Sequence, residues 1–473
     1  MNYKSILFFL GIFSLLVAFF SFLNIIYSVY FNFSLDLTSY VFTLILSLFL
    51  GSLFSYIGYK HHKDLSINTQ IGFIVISFTY IPLLISFPYF LSIYNLSFLN
   101  SYFESVSGIT GTGFSIIENI QYIDEPLLIW RSSSQWLGGL LFLVSIVGTI
   151  GSRQIKIKPL HLVFGGTLGR NFYNDFNYNF IKILLIYFFS TIFIIFLYKL
   201  ANIRFFDGLN LSLTTISSGG FLSKNSLSEI VKNDIQVFVL SITLLFPVLN
   251  FYLFFNIVTN NFSFKKHQED QHLIILILLV ILFTYFFVIP EEGLANTLLA
   301  ITSSLSTSGI SVYSQNYDLS LFFILLTIIG GSLISTSSGF KYVRIYILLK
   351  TSYQEMYKLV KPINITDNNL FNSDVKINDV DTKIAFLIFI SFIISIFLLS
   401  SILSFENLDF DSYFKLALLT LTNTTNSSLF GLENINFFDF SNFSKLSLIV
   451  FMILGKIEVI AILFLLKKVI FKE

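Results

Sequence analysis

Ten runs of roughly twenty apolar residues constrain this chain more than any other feature. They lie near 5–29, 39–59, 71–93, 126–150, 181–203, 235–260, 271–290, 319–348, 384–404 and 443–466. A helix of about 20 residues crosses the roughly 30 Å hydrocarbon core of a bilayer. Composition agrees: of 473 residues 55% are hydrophobic and only 12% charged, whereas a water-facing domain carries about 25% charged residues. The expected fold class is an all-α polytopic membrane protein. The first run is too long and too closely followed by a second to read as a cleaved signal peptide. A net charge of +1 makes no case for nucleic-acid binding. The absence of cysteine excludes disulfides, thiolate zinc sites, iron–sulfur clusters and cysteine nucleophiles. Among the five histidines only His61 and His62 are adjacent, in a short polar loop where solvation accounts for them.

Lysine and arginine counts set the orientation. Alternate loops hold Lys60 and Lys63; Arg153, Lys156, Lys158 and Arg170; Lys265 and Lys266; and Lys350, Lys358, Lys361 and Lys376, with Lys467, Lys468 and Lys472 in the tail. The positive-inside rule then puts both termini in the cytoplasm. The opposite loops are acidic, with Asp36, Glu118, Asp124, Glu125, Glu229, Asp234, Glu291, Glu292, Glu406, Asp409 and Asp411.

After residue 60 a pattern repeats four times: span, short semi-polar segment, Ser/Thr/Gly cluster, span. The clusters are SVSGITGTGFS at 105–115, LTTISSGGFLS at 213–223, ITSSLSTSGIS at 301–311 and LTLTNTTNSSL at 419–429. Each follows a stretch long enough only for a half-helix, at 101–108, 208–216, 294–304 and 411–421. A half-helix can enter a bilayer and return only if the backbone beyond it is buried in protein or lines a watery cavity. Four such loops around one axis suggest a single-file cation path lined by carbonyl oxygens, with the negative ends of the half-helices aimed at it. No ATP-binding Gly-Lys-Ser motif occurs in the chain. A membrane enzyme would need acids and bases converging at one depth, where these positions hold mostly Ser, Thr and Gly.

With these clusters in place the chain resembles the TrkH/KtrB-type potassium-uptake subunits, a superfamily of potassium transporters, and most closely the TrkH-like members with two extra N-terminal spans. WRSSSQWLGG at 130–139, FPVLNFYLFF at 246–255, GGSLISTSSGFKYVR at 330–344 and MILGKIEV at 452–459 resemble family stretches in the same order. The resemblance implies four membrane-pore-membrane units around a central ion path. A two-helix region at 1–60 precedes them; pore unit one is at 61–155, unit two at 156–262, unit three at 263–350 with an intramembrane gating loop at 330–340, and a cytoplasmic linker with unit four at 351–473.

Carried over by the resemblance, the filter comprises Thr110, Gly111, Thr112 and Gly113; Ser217, Ser218, Gly219 and Gly220; Ser306, Thr307, Ser308 and Gly309; and Thr422, Asn423, Thr424 and Thr425. The family usually closes each set with Gly, and four glycines go with potassium selectivity; relatives with Ser in the first unit tend to admit sodium. Thr425 departs from that pattern. Its side chain either tilts a carbonyl or adds an oxygen, so potassium uptake is the expected function, with a sodium-permeable or weakly selective cation transporter as the alternative and a non-conducting scaffold behind it. Gly330, Gly331, Ser332, Ser335, Thr336, Ser337, Ser338 and Gly339 interrupt an apolar span and correspond to the family's gate. That gate is expected to be weakly anchored, with Lys341 and Arg344 beyond it at the cytoplasmic surface. Lys456 and Glu458 are charges inside the last span, and Lys456 stands where the family has a pore-approaching Arg. Arg131, Glu104 and Asn250 have structural readings as good as functional ones. The resemblance further implies no covalently bound cofactor, K+ as the transported ion, a homodimer among membrane lipids of a bacterial plasma (inner) membrane, and nucleotide only on a separate cytoplasmic ring of the TrkA/KtrA type.

Overall fold

A computed structural model describes residues 2–61, 67–150, 176–258, 267–289, 293–312, 319–360, 368–371 and 376–457. Two long helices, α1 (Tyr3–Tyr30) and α2 (Leu37–Gly58), open the chain. The face of α1 turned inward holds Ser5, Gly11, Ser14, Ala18, Ser21, Asn24 and Ser28, while Phe19, Phe22 and Ile26 face out. Ile6, Phe9, Leu10, Phe13, Val17 and Phe20 are buried there too, and the small residues between them have a physical role. Lipid tails are as apolar as Leu, so membrane helices associate through small residues that let backbones approach. The approach is close: a Cβ on Gly11 would lie 2.6 Å from the Ser55 nitrogen.

The order helix, half-helix, buried loop, helix then recurs. It runs α3 (Ile67–Phe90), α4 (Phe98–Thr110) and α5 (Glu125–Ile150), then α6 (Phe176–Leu200), α7 (Phe205–Ile216), α8 (Asp234–Thr243) and α9 (Phe251–Val258). The third round is α10 (Gln268–Phe283, extended by a π-helical Thr284–Val288), α11 (Leu294–Leu305), α12 (Ser320–Ile329) and α13 (Tyr342–Val360). The last is α14 (Asp379–Leu403), α15 (Phe410–Thr422) and α16 (Asn442–Ile457). The protein is an all-helical polytopic membrane protein.

Among the described residues six helical segments are long and apolar enough to cross a membrane. They are α1, α2 and the first helix of every round; α2, α6, α10 and α14 are mostly exposed on the outside, while α1 and α3 are largely buried. The second helices face inward and are polar or broken. α5 buries Arg131, Ser132, Ser133, Ser134 and Gln135, and α16 buries Lys445 and Lys456.

Two expectations need correcting. The run at 235–260 is not one helix: α8 stops at Thr243, and α9 begins only at Phe251. Pro247 lacks the N–H that a continuing helix requires, and the carbonyls freed there are used elsewhere. Pro247 O accepts from Ser337 N at 3.1 Å, Val248 O accepts from Ser332 N at 2.9 Å, and Phe251 N donates to Ile334 O at 2.6 Å. The break in the second round and the break between α12 and α13 satisfy each other's backbone. The linker expected from residue 351 is also shorter, because α13 runs on to Val360. The sequence through Tyr353, Gln354, Glu355, Met356 and Lys358 contains nothing that stops a helix before Pro362.

Candidate ion-conduction site

The four half-helices end at Thr110, Ile216, Leu305 and Thr422, and each hands over to its cluster in the same way. The second residue of every set adopts left-handed backbone: Gly111 at φ +76°, Ser218 at +58°, Thr307 at +60° and Asn423 at +50°. Main-chain bonds fold the loop back onto its own half-helix, with Gly219 N on Thr214 O at 2.8 Å, Ser308 N on Ser303 O at 3.1 Å and Thr424 N on Leu419 O at 2.9 Å. The common turn puts Thr422–Thr425 in the same register as the other sets.

The fourth position divides the sets into two kinds. Gly113 and Gly309 lie at φ +79° and +68°, where a Cβ is strained. Gly220 and Thr425 are not among the positive-φ residues, so backbone geometry does not oppose a threonine in the fourth set. Gly220 is constrained by space instead, since a Cβ there would lie 2.6 Å from Thr425 Cβ and Cγ2 and 2.5 Å from Ser308 O.

The sets converge. Asn423 Nδ2 donates to Thr112 Oγ1 at 3.0 Å and to Met452 O at 2.8 Å. Thr110 and Thr112 share a hydroxyl–hydroxyl bond of 2.7 Å, and Thr422 and Thr424 one of 3.0 Å. Ser303 Oγ holds Ile310 O at 2.6 Å in the third loop, and Gln135 Oε1 accepts from Phe221 N at 3.2 Å in the second. Ser217, Ser306 and Ser308 are buried with the rest. Above Gly113, Gly220, Gly309 and Thr425 opens a cavity of about 530 Å³ that also holds Glu118 and Glu433. Beside it Arg131 and Glu104 form a buried ion pair at 3.0 Å. Glu104 also accepts from Ile116 N at 2.9 Å, and Arg131 lies 4.2 Å over the Phe221 ring, so the pair ties the strands beyond the first and second sets together.

Beneath the four sets lies the 330–339 segment. Thr336 Oγ1 donates to Ile216 O and Ser218 Oγ donates to Thr336 O, both at 2.9 Å; Ser338 N donates to Thr307 Oγ1 at 3.0 Å. From the far side Lys456 Nζ donates to Thr336 O at 3.2 Å and Ser338 Oγ at 3.0 Å. Its ammonium also sits under the first set, 3.7 Å from where a Cβ on Gly111 would be. Inside the segment Ser335 and Ser337 share a bond of 2.8 Å, and Gly331 N donates to Ser337 Oγ at 3.1 Å.

The expectation of a weakly anchored segment is therefore wrong: Leu333 and Ile334 are buried in the apolar core, and nearly every polar group in the segment is paired. Lys341 does not reach the cytoplasmic surface. It is buried at 3% exposure and donates to Ser335 Oγ at 3.0 Å and to the Ser337 carbonyl, because these loop oxygens lie within reach of its ammonium. The Phe142 ring lies under both ammonium groups, 4.6 Å from Lys456 Nζ and 5.5 Å from Lys341 Nζ. Glu458 lies outside the described residues.

Sequence reading missed a second buried group, at the start of α10. Asp270 Oδ1 accepts from Ser332 Oγ and from Asn250 N, both at 2.8 Å, and Glu269 Oε1 accepts from Leu333 N at 2.8 Å. His267 Nδ1 lies 3.4 Å from Asp270 Oδ2. Asn250 Oδ1 in turn accepts from Tyr252 N at 3.0 Å and starts α9. These two carboxylates clamp both helix breaks. The one signal for them was two adjacent acids opening an apolar run.

Replacing Gly113 or Gly309 with Ser is expected to lower cation selectivity. The same change at Gly431, also left-handed at φ +70° but outside the four sets, should cost stability alone. Sodium-to-potassium flux ratios of the three variants check this; equal ratios would remove the two glycines from the path.

Fold and site together define a polytopic helical membrane protein whose four half-helices end in buried loops that converge. The solved structure of the potassium transporter TrkH from Vibrio parahaemolyticus matches it with a TM-score of 0.82 at 24% identity, covering 98% of this chain and 99% of that one. Over 327 residues the chain is 27% identical to an uncharacterised cation transporter of Methanocaldococcus jannaschii, covering 66% of this chain and 65% of the relative. It is 25% identical to the Trk system potassium uptake protein TrkH of Halomonas elongata over 321 residues, 64% of this chain and 66% of that one. TrkG of Escherichia coli is 25% identical over 322 residues, 63% and 65% of the two chains. The matches thus span just under two thirds of these relatives' length. No protein-family model matches the chain. Its homologues are Trk system potassium uptake proteins, and its fold is that of TrkH.

Proposed function

We propose that this chain takes up potassium across the plasma membrane through the four converging sets, with the 330–339 segment as the gate. The observation that carries the reading is the shared left-handed turn, which aims four buried backbone loops at one point below an outer cavity. Carbonyl oxygens there replace an ion's hydration shell, and the half-helices direct the negative ends of their dipoles at a cation. The acidic residues Glu118 and Glu433 in the cavity raise the local cation concentration. The names of the homologues support potassium as the ion. The reading extends to a homodimer with both termini in the cytoplasm and to a separate nucleotide-binding ring that releases the gate; the lysine-rich inner loops and the resemblance support this. A second reading, a sodium-permeable path, is favoured by one residue, Thr425.

The test is complementation. A potassium-uptake-deficient bacterium carrying the chain should grow on low-potassium medium, more strongly with a TrkA-type subunit. No growth with or without that subunit, despite protein in the membrane, would count against the proposal.

A further inference from the structure

Thr425 does more than replace a glycine. Its hydroxyl donates across the path to the Gly113 carbonyl at 2.9 Å. Its Cγ2 lies 2.6 Å from the position of a Cβ on Gly220 and 2.9 Å from one on Gly309. The side chain therefore stands among the three glycines of the other sets, at the floor of the outer cavity, and is only 7% exposed. A threonine hydroxyl has one proton to give and two lone pairs to offer. With the proton on Gly113 O, that carbonyl has a protein partner and the methyl narrows the opening. Turning the O–H away leaves two oxygens, already 2.9 Å apart, free to face an ion from outside.

We propose that Thr425 is a specificity-determining residue at the outermost position of the path: its hydroxyl closes that position by bonding Gly113 O and, once turned, becomes an ion ligand. The methyl makes the ring tighter than four glycines would, and the added oxygen helps compensate the stronger hydration of a small ion. The position consequently admits sodium better than an all-glycine ring does. The inference rests on the reading of the chain as a monovalent-cation path.

Three substitutions separate hydroxyl from methyl. Thr425→Val keeps the shape and removes both donor and ligand, so rubidium and sodium flux should both fall about tenfold, the factor corresponding to about 1.4 kcal/mol. Thr425→Ser keeps the oxygen and removes the methyl; rubidium flux should rise while inhibition by sodium persists. Thr425→Gly removes the methyl as well as the hydroxyl and so opens the ring that Thr425→Val leaves narrow; rubidium flux should rise above wild type and sodium inhibition should weaken. The measurement is radiolabelled rubidium uptake into proteoliposomes against added sodium, with melting of the detergent-solubilised protein titrated with each salt as a second readout. A wild-type chain that carries no rubidium overturns the transport reading. A wild-type chain that carries it while Thr425→Val matches it in flux, sodium inhibition and salt-dependent melting overturns this inference alone. If the valine variant does not fold, the serine variant decides: loss of sodium inhibition there would remove the hydroxyl as a ligand.

Discussion

Replacing Lys456 with methionine is expected to raise cation flux at least tenfold and to leave the preference between potassium and sodium unchanged. Two effects add. The ammonium is buried at 2% exposure, directly below the first set, so a cation arriving there meets a like charge. Like charges in a poorly solvated site repel, the less so as the side chain can retreat. The same ammonium holds Thr336 O and Ser338 Oγ, so its loss also loosens the 330–339 segment. Methionine is close to lysine in length and suits the Phe142 ring beneath it. Deleting Ser335 through Ser338 should act in the same direction by removing what Lys456 holds, and should reduce dependence on a regulatory partner. Radiolabelled rubidium uptake into proteoliposomes of monodisperse protein reads both. Unchanged flux would put the barrier elsewhere, and a changed sodium-to-potassium ratio would make Lys456 part of the filter.

The acid pair gives the second large effect. Asp270→Leu orphans the buried Asn250 N and leaves Ser332 Oγ only its longer bond to Val248 O. An orphaned buried donor costs about 1–3 kcal/mol. Both donors belong to the helix breaks, so the lost stability falls on the closed arrangement of the 330–339 segment, and basal flux should rise roughly tenfold to a hundredfold by the tenfold per 1.4 kcal/mol scale. Asp270→Asn can still accept through its remaining oxygen and should stay within about threefold of wild type, less than a single ordinary hydrogen bond commands at most. Glu269→Leu, which frees Leu333 N, should lie between the two. Uptake assays on the three variants settle it: equal flux in the leucine and asparagine forms of residue 270 would mean that the carboxylate does not hold the segment.

What could be read from residues alone follows from which forces are local. The half-helices were legible because Ser, Thr and Gly in mid-membrane force the backbone to find partners, and the clusters mark where α4, α7, α11 and α15 stop. The break after α8 was hidden: Phe246 to Phe255 is apolar almost throughout, and Pro247 alone signals that hydrogen bonds must go elsewhere. Where they go, to Ser337, Ser332 and Ile334, depends on a segment about ninety residues away. Glu269 and Asp270 follow Lys265 and Lys266 at the start of an apolar run, and nothing in that pattern marks them as buried. Burial of that pair is set by the third dimension. The same holds for Lys341, whose inward turn requires knowing that carbonyls wait below it, and for Thr425, whose partner Gly113 lies 312 positions earlier.

Rubidium uptake by the purified wild-type chain, alone in proteoliposomes with an imposed inward-negative potential, decides whether the converging sets conduct. Slow uptake above that of protein-free liposomes is expected, inhibited by potassium at lower concentration than by sodium, and accelerated in the Lys456→Met form. Uptake no faster than protein-free liposomes in both wild type and Lys456→Met, with both proteins folded and inserted, would contradict conduction through these sets.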